Sequence, residues 1–259
     1  MRSNPLKETL RNGELALGTM IFEFNTTGIA RLAANAGAEF VLFDMEHTGW
    51  SIETIRMLLA TTLSADIVPL VRIPATDYHF VARVLDMGAM GIMAPMVQDA
   101  QQAQNLVQYA KYPPTGSRGG AFGISHDNYV SGPVPEKMTT ANDQTLLIAQ
   151  IETVSGLQNA EEIAAVEGID VLWIGQTDLS NSLGIPGQFE HPDFKAAVQR
   201  VVSVARAAGK AAGYMGMSLE ECEALYHAGF RCLAYSGDLW LYQEILEARI
   251  STLRQRTAP

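Results

Sequence analysis

Eight short apolar runs, each followed by a polar turn and a longer stretch of helical spacing, leave this chain few ways to fold. The runs cover residues 15–21, 39–44, 67–73, 91–96, 146–152, 171–175, 211–215 and 232–236. Between them lie segments rich in Ala, Leu, Glu and Gln, such as 27–36, 52–64, 99–109 and 193–208. Gly37, Gly88, Gly168, Gly209 and Gly229 stand just past predicted helix ends, where a residue of positive φ is wanted. Strands that are apolar on both faces and alternate with helices predict a parallel sheet covered by helices. Eight such units in 259 residues predict a closed (β/α)8 TIM barrel, one domain over 1–259, rather than an open doubly wound sheet. A short helix ahead of the first run is expected to cap the barrel floor.

The balance of charge narrows the partners. With 18 Lys and Arg against 28 Asp and Glu, the formal net charge is −10, which counts against nucleic acid and anionic membrane as default partners. No apolar run approaches the length of a membrane span, and the polar N-terminus lacks a signal-peptide core. The two cysteines, Cys222 and Cys232, form neither a metal-binding cluster nor a disulfide framework, so a cytoplasmic location is expected. No glycine-rich dinucleotide or phosphate loop follows any predicted strand. One connection is unusual: residues 111–142 hold five Gly and four Pro and are expected to form a long loop with a role of its own.

In such a barrel the active site is built at the C-terminal ends of the strands. That rule selects Asp44, Glu46, His47, Arg72, Gln150, Glu152, Gln176, Asp178, Ser236 and Asp238. Glu152 and Asp178 end consecutive strands, and two converging carboxylates repel unless a proton or cation lies between them. A hard divalent ion such as Mg²⁺ or Mn²⁺ suits that donor set. The alternative is that Asp178 caps a helix starting at Leu179 and Glu152 pairs with an arginine. In Asp44-x-x-His47 the carboxylate is placed to hold the imidazole in one tautomer as a general base, against a purely structural histidine. Arg72, inside an apolar strand, needs a carboxylate partner, either from a substrate or from Glu46 or Glu152. None of the five lysines occupies the inner end of a strand, so a Schiff base is disfavoured and a metal is the expected electrophile for carbonyl chemistry.

The strings FVLFDMEHTGWSIETI, PLVRIPATD, VLDMGAMGIMAPMVQDAQQAQ, KYPPTGSRG, IAQIET and VLWIGQTDLS, in this order, resemble the HpcH/HpaI family of class II, metal-dependent pyruvate aldolases. The resemblance implies a barrel of the phosphoenolpyruvate/pyruvate type that reversibly cleaves a 4-hydroxy-2-oxoacid to pyruvate and an aldehyde. It implies that Glu152 and Asp178 hold Mg²⁺, Mn²⁺ or Co²⁺, which chelates pyruvate, and that Gln150 helps to hold that end. Arg72 would stabilise the enolate oxygen, and His47, oriented by Asp44, would be the catalytic base. Gly175, Thr177 and the backbone amides near Asp178 would cradle the pyruvate carboxylate. Asp86 would reach into a neighbouring subunit's site, in a homohexamer built as a trimer of dimers with the last helix exchanged. The chain departs from the family pattern at GQTDLS, where GPADLS is frequent, at GTMIFEFN, and at GGAFGISHDNY. All three departures fall where the aldehyde is expected. A lyase of the citrate lyase β-subunit or malyl-CoA lyase type would need phosphate partners, for which Arg118 and Lys111 are the unassigned candidates. A non-catalytic metal- and oxoacid-binding barrel would be expected to lack His47 or Arg72, and both are present.

Overall fold

The computed structural model describes residues 2–258. Its strands are β1 (Ala16–Ile21), β2 (Phe40–Asp44), β3 (Val68–Arg72), β4 (Gly91–Ala94), β5 (Leu146–Ile151), β6 (Val171–Ile174), β7 (Ala211–Gly216) and β8 (Cys232–Gly237). All pair in parallel in sequence order, and β8 closes on β1, so the expected (β/α)8 TIM barrel is the fold. Helices Ile29–Asn35, Ile52–Thr62, Tyr78–Asp86, Ala100–Ala110, Pro192–Ala207 and Leu219–Ala228 are among those that cover it. Several start on a side-chain cap: Ser51, Asp99, Thr153 and Ser218 each accept from a backbone N–H three residues on. The five glycines expected past helix ends all have positive φ, between 67° and 114°.

The period of two along each strand divides the core. Outward residues such as Val41, Phe43, Val71 and Ile92 pack beneath the helices. Inward residues such as Met20, Phe40, Leu42, Leu70, Met93, Ile148 and Trp173 fill the barrel. Large and small residues alternate across that interior. Gly213 lies against the indole of Trp173, where a Cβ would overlap the ring. The helix Pro5–Arg11 closes the floor as expected, with Leu6 and Leu10 joining the interior cluster. Lys7 fixes it there, donating to Asp170 Oδ2 at 2.9 Å and to the Thr145 carbonyl at 2.7 Å.

Two expectations are corrected. The run 91–96 ends at Ala94, because Pro95 lacks an N–H for the ladder and Met96 turns to a φ of 54°. The stretch 111–142 is not one loop: Ser125–Asp127 forms a 3-10 turn and Val134–Gln144 an α-helix. That helix buries little beyond Ala141, so its apolar period is faint. The last helix, Asp238–Thr257, leaves Tyr242, Ile245, Leu246, Ile250 and Leu253 exposed. Among the described residues no helix is long and apolar enough to cross a membrane. Both cysteines are free thiols.

Candidate active site

The parity that fills the barrel also builds its mouth. Asp44 continues the inward series Phe40, Leu42, while Arg72 continues Val68, Leu70, and Gln150 with Glu152 continue Leu146, Ile148. All four are buried. Arg72 Nε donates to Asp44 Oδ1 at 2.6 Å, and its Nη1 lies 3.2 Å from Glu46 Oε2. The same Asp44 carboxylate accepts the backbone N–H of Glu46 at 3.2 Å and of His47 at 3.0 Å. Asp44 therefore ties the turn after β2 to the end of β3.

This arrangement revises the expected dyad. Asp44 holds the backbone of His47 and not its ring, since its two oxygens are already taken by Arg72 and two amides. The imidazole is 55% exposed, and the carboxylate within reach of its Nε2 is that of Glu46, at 3.7 Å. Sequence reasoning placed Glu46 at the mouth but gave it no part beyond a partner for Arg72. The structure gives it contacts to both Arg72 and His47.

Glu152 sits just past β5 with its oxygens fixed: Oε1 accepts from Met96 N at 2.6 Å and Oε2 from Gln150 Nε2 at 2.5 Å. Gly175 packs directly on this carboxylate. A Cβ there would overlap Glu152 Oε2 and come within 2.6 Å of Gln150 Nε2. Burial pushes the Glu152 carboxyl up to about 7 against the Met96 hydrogen bond, and the charges of Glu46 and Asp178 add to the rise. Burial also raises Glu46 against the lowering by Arg72 and His47, and the charges of Asp44 and Asp178 add to the rise. Neither structural alternative from the sequence is seen. Among the described residues Glu152 pairs with no arginine, and Asp178 lies inside the first turn of the helix Gln176–Ser182, whose N-cap is Gly175.

These carboxylates are close enough to feel one another with one guanidinium between them, so the site favours added positive charge. Gln150 Oε1 is buried without a hydrogen-bond partner, an oxygen donor beside Glu152 left unused. No group of three or more His, Cys, Asp or Glu residues among the described residues forms a complete protein cage for a metal. Two carboxylates with open positions for water and substrate suit Mg²⁺ or Mn²⁺, which keep several non-protein ligands.

Two expected site residues fall elsewhere or bear on the site only through backbone. Asp86 ends the helix Tyr78–Asp86, away from this cluster, and accepts from Arg118 Nη2 at 2.6 Å. Thr177 is exposed in the first turn of its helix, where backbone N–H groups lack intrahelical partners. Lys111, its amine pushed down to about 7 by burial and then by Lys7, donates to the Thr145 carbonyl beside the floor helix rather than at the mouth.

The family described as HpcH/HpaI aldolase/citrate lyase matches residues 20–243. A hydroxypyruvate/pyruvate aldolase of Roseobacter denitrificans is 35% identical over 243 residues, covering 91% of each chain. A 2-keto-3-deoxy-L-rhamnonate aldolase of Klebsiella pneumoniae is 33% identical over 256 residues, covering 99% of this chain and 95% of its own. The crystal structure of an HpcH/HpaI aldolase from Desulfitobacterium hafniense superposes with a TM-score of 0.93 at 33% identity, over 98% of this chain and 97% of that one.

Proposed function

The chain belongs to the HpcH/HpaI aldolase/citrate lyase family, a carbon–carbon lyase, and we propose that it cleaves a 4-hydroxy-2-oxoacid reversibly to pyruvate and an aldehyde. The observation that carries this reading is the buried Asp44–Arg72 pair, facing the oxygen donors of Gln150 and Glu152 across the barrel mouth.

Breaking the C3–C4 bond of such a substrate leaves an electron pair on the pyruvate fragment as an enolate. Arg72, held by Asp44 and Glu46, places a fixed positive charge where that oxygen becomes negative. His47 takes the proton of the 4-hydroxyl as the aldehyde forms, with the Glu46 carboxylate 3.7 Å from its Nε2. Gly175, Thr177 and the first-turn amides of Gln176–Ser182 receive the pyruvate carboxylate, with Gln150 beside it. Glu152 and Asp178 would hold a divalent ion, Mg²⁺, Mn²⁺ or Co²⁺, which would supply Lewis-acid chemistry to the substrate's carbonyl group.

The thioester alternative loses its support. Arg118 is buried, paired with Asp86 and stacked 4.6 Å over the Tyr112 ring, and Lys111 is buried near the floor, so neither is open to a CoA phosphate at the mouth. The hexameric assembly belongs to the same reading. Asp86 lies outside its own chain's cluster, as a residue serving a neighbour's site would, and the exposed apolar residues of Asp238–Thr257 suit a helix exchanged between subunits. The test is pyruvate release from a panel of 4-hydroxy-2-oxoacids, with Mg²⁺ or Mn²⁺ and again after EDTA. Metal-dependent release is the expected result, while release that survives EDTA removes the metal roles of Glu152 and Asp178.

A further inference from the structure

Resting on the aldolase reading, we infer that Phe22, set in place by Asp238, selects aldehydes with an apolar substituent. Phe22 continues the inward series of β1 one step past Met20 and packs, partly buried, on the top of the interior cluster. Its ring centre is 5.9 Å from Arg72 Cζ and 5.0 Å from the ring of Trp240, which it meets edge to face at 66°. The ring therefore stands beside the residue assigned to the enolate, on the β8–β1 side of the mouth. The carboxylates Glu152 and Asp178 stand at the ends of β5 and β6. A substrate whose pyruvate half lies at Arg72 and at the Glu152–Asp178 end of the mouth meets Phe22 and Trp240 with its other half.

The wall is built and not incidental. Asp238 is buried, and its carboxylate accepts three consecutive backbone N–H groups: Phe22 at 2.9 Å, Glu23 at 3.0 Å and Phe24 at 2.6 Å. A carboxylate in such a nest fixes the turn after β1, and with it the direction of the Phe22 side chain. Gly237 leaves room for both rings, since a Cβ there would come within 2.8 Å of Phe22 and 2.9 Å of Trp240. At this end of the barrel the Asp238 carboxylate and Gln176 Nε2 are used internally, while the side chain of Glu23 is exposed. Asp238 and the three amides satisfy each other, and Gln176 Nε2 donates to the Met215 carbonyl at 3.0 Å. A polyhydroxylated substituent against this wall would give up water without compensation, whereas an alkyl or aryl substituent gains contact. Phe22 is thus a specificity residue and Asp238 a positioning residue acting through it.

The test measures pyruvate addition to benzaldehyde and to glycolaldehyde, with Mg²⁺, in the full-length enzyme and its Phe22→Ala, Phe22→Tyr and Asp238→Asn variants. The unaltered enzyme is expected to show the higher kcat/KM for benzaldehyde. Phe22→Ala lowers the benzaldehyde-to-glycolaldehyde ratio about tenfold or more, chiefly through the KM of benzaldehyde, and Phe22→Tyr keeps it within about threefold. Asp238→Asn lowers the same ratio. A preference for glycolaldehyde, an unchanged ratio in Phe22→Ala, or an Asp238→Asn loss equal for both aldehydes overturns the inference; if Asp238→Asn does not fold, the Phe22 pair decides. Exchange of the pyruvate methyl protons in D2O, with no aldehyde present, separates the two levels. Absence of exchange in the unaltered enzyme overturns the aldolase reading itself, while exchange with an unchanged ratio overturns the role of Phe22 alone.

Discussion

Asp44→Asn probes whether the mouth of the barrel depends on one buried ion pair. The substitution keeps the shape of the side chain and one carbonyl acceptor for the amides of Glu46 and His47, but it removes the charge that faces Arg72 Nε at 2.6 Å. Both partners are buried, so the guanidinium cannot turn to water and retains only Glu46, 3.2 Å from Nη1 and without a hydrogen bond to its Oε2. Removing one partner of a buried pair costs about 3–5 kcal/mol, and the remaining carbonyl and Glu46 place this case near 3 kcal/mol. In a chain of this size that corresponds to a fall in Tm of about 6–12 °C. Thermal and urea unfolding of the metal-free protein measure it. The decisive arm is the double variant Asp44→Asn, Arg72→Met, which removes the guanidinium that Asp44→Asn strands and leaves Glu46 beside His47. It is expected to be more stable than Asp44→Asn alone. A single-variant loss below about 1 kcal/mol, or a double variant whose losses simply add, would refute the account of Asp44 as the electrostatic anchor of Arg72.

Two further predictions use other parts of the barrel. Gly175→Ala forces Glu152 or the start of the helix Gln176–Ser182 to move, so pyruvate release is expected to fall about 100-fold while the unfolding transition stays cooperative; kinetics within a few-fold of the unaltered enzyme would show that Glu152 need not be held there. Lys111, lowered to about 7 in the folded chain, binds its proton more readily when unfolded, so it makes stability rise with pH between about 7 and 10, by at most about 1.4 kcal/mol per pH unit. Urea unfolding at pH 7.5 and 9.5 is expected to show that rise in the unaltered chain and a smaller one in Lys111→Met, and equal slopes would contradict a neutral buried amine.

What could be read from the sequence followed from periods, and what could not followed from atoms. Alternation along 40–44, 68–72 and 146–152 is enough to aim Asp44, Arg72, Gln150 and Glu152 inward, because a side chain two residues beyond a core residue faces the same way. The glycines past helix ends were equally legible, each required by a positive φ. The partner of a carboxylate depends instead on the backbone of the turn that carries it. Asp44-x-x-His47 has the spacing of a carboxylate–imidazole dyad, yet the turn presents the amide of His47 to Asp44 and leaves the ring to Glu46. The helix Val134–Gln144 escaped notice for a related reason, since a helix that buries almost nothing writes no apolar period. Phe22 stands between these cases. Its inward direction follows from Met20 by parity, but its place over Arg72 rests on three hydrogen bonds from residues 22–24 to Asp238, more than 200 positions away in the chain. Closure of the barrel makes β1 and β8 neighbours, and only that closure turns the aspartate after one strand into the anchor of the turn after the other. Specificity built across such a seam escapes any reading that takes each strand-end motif separately.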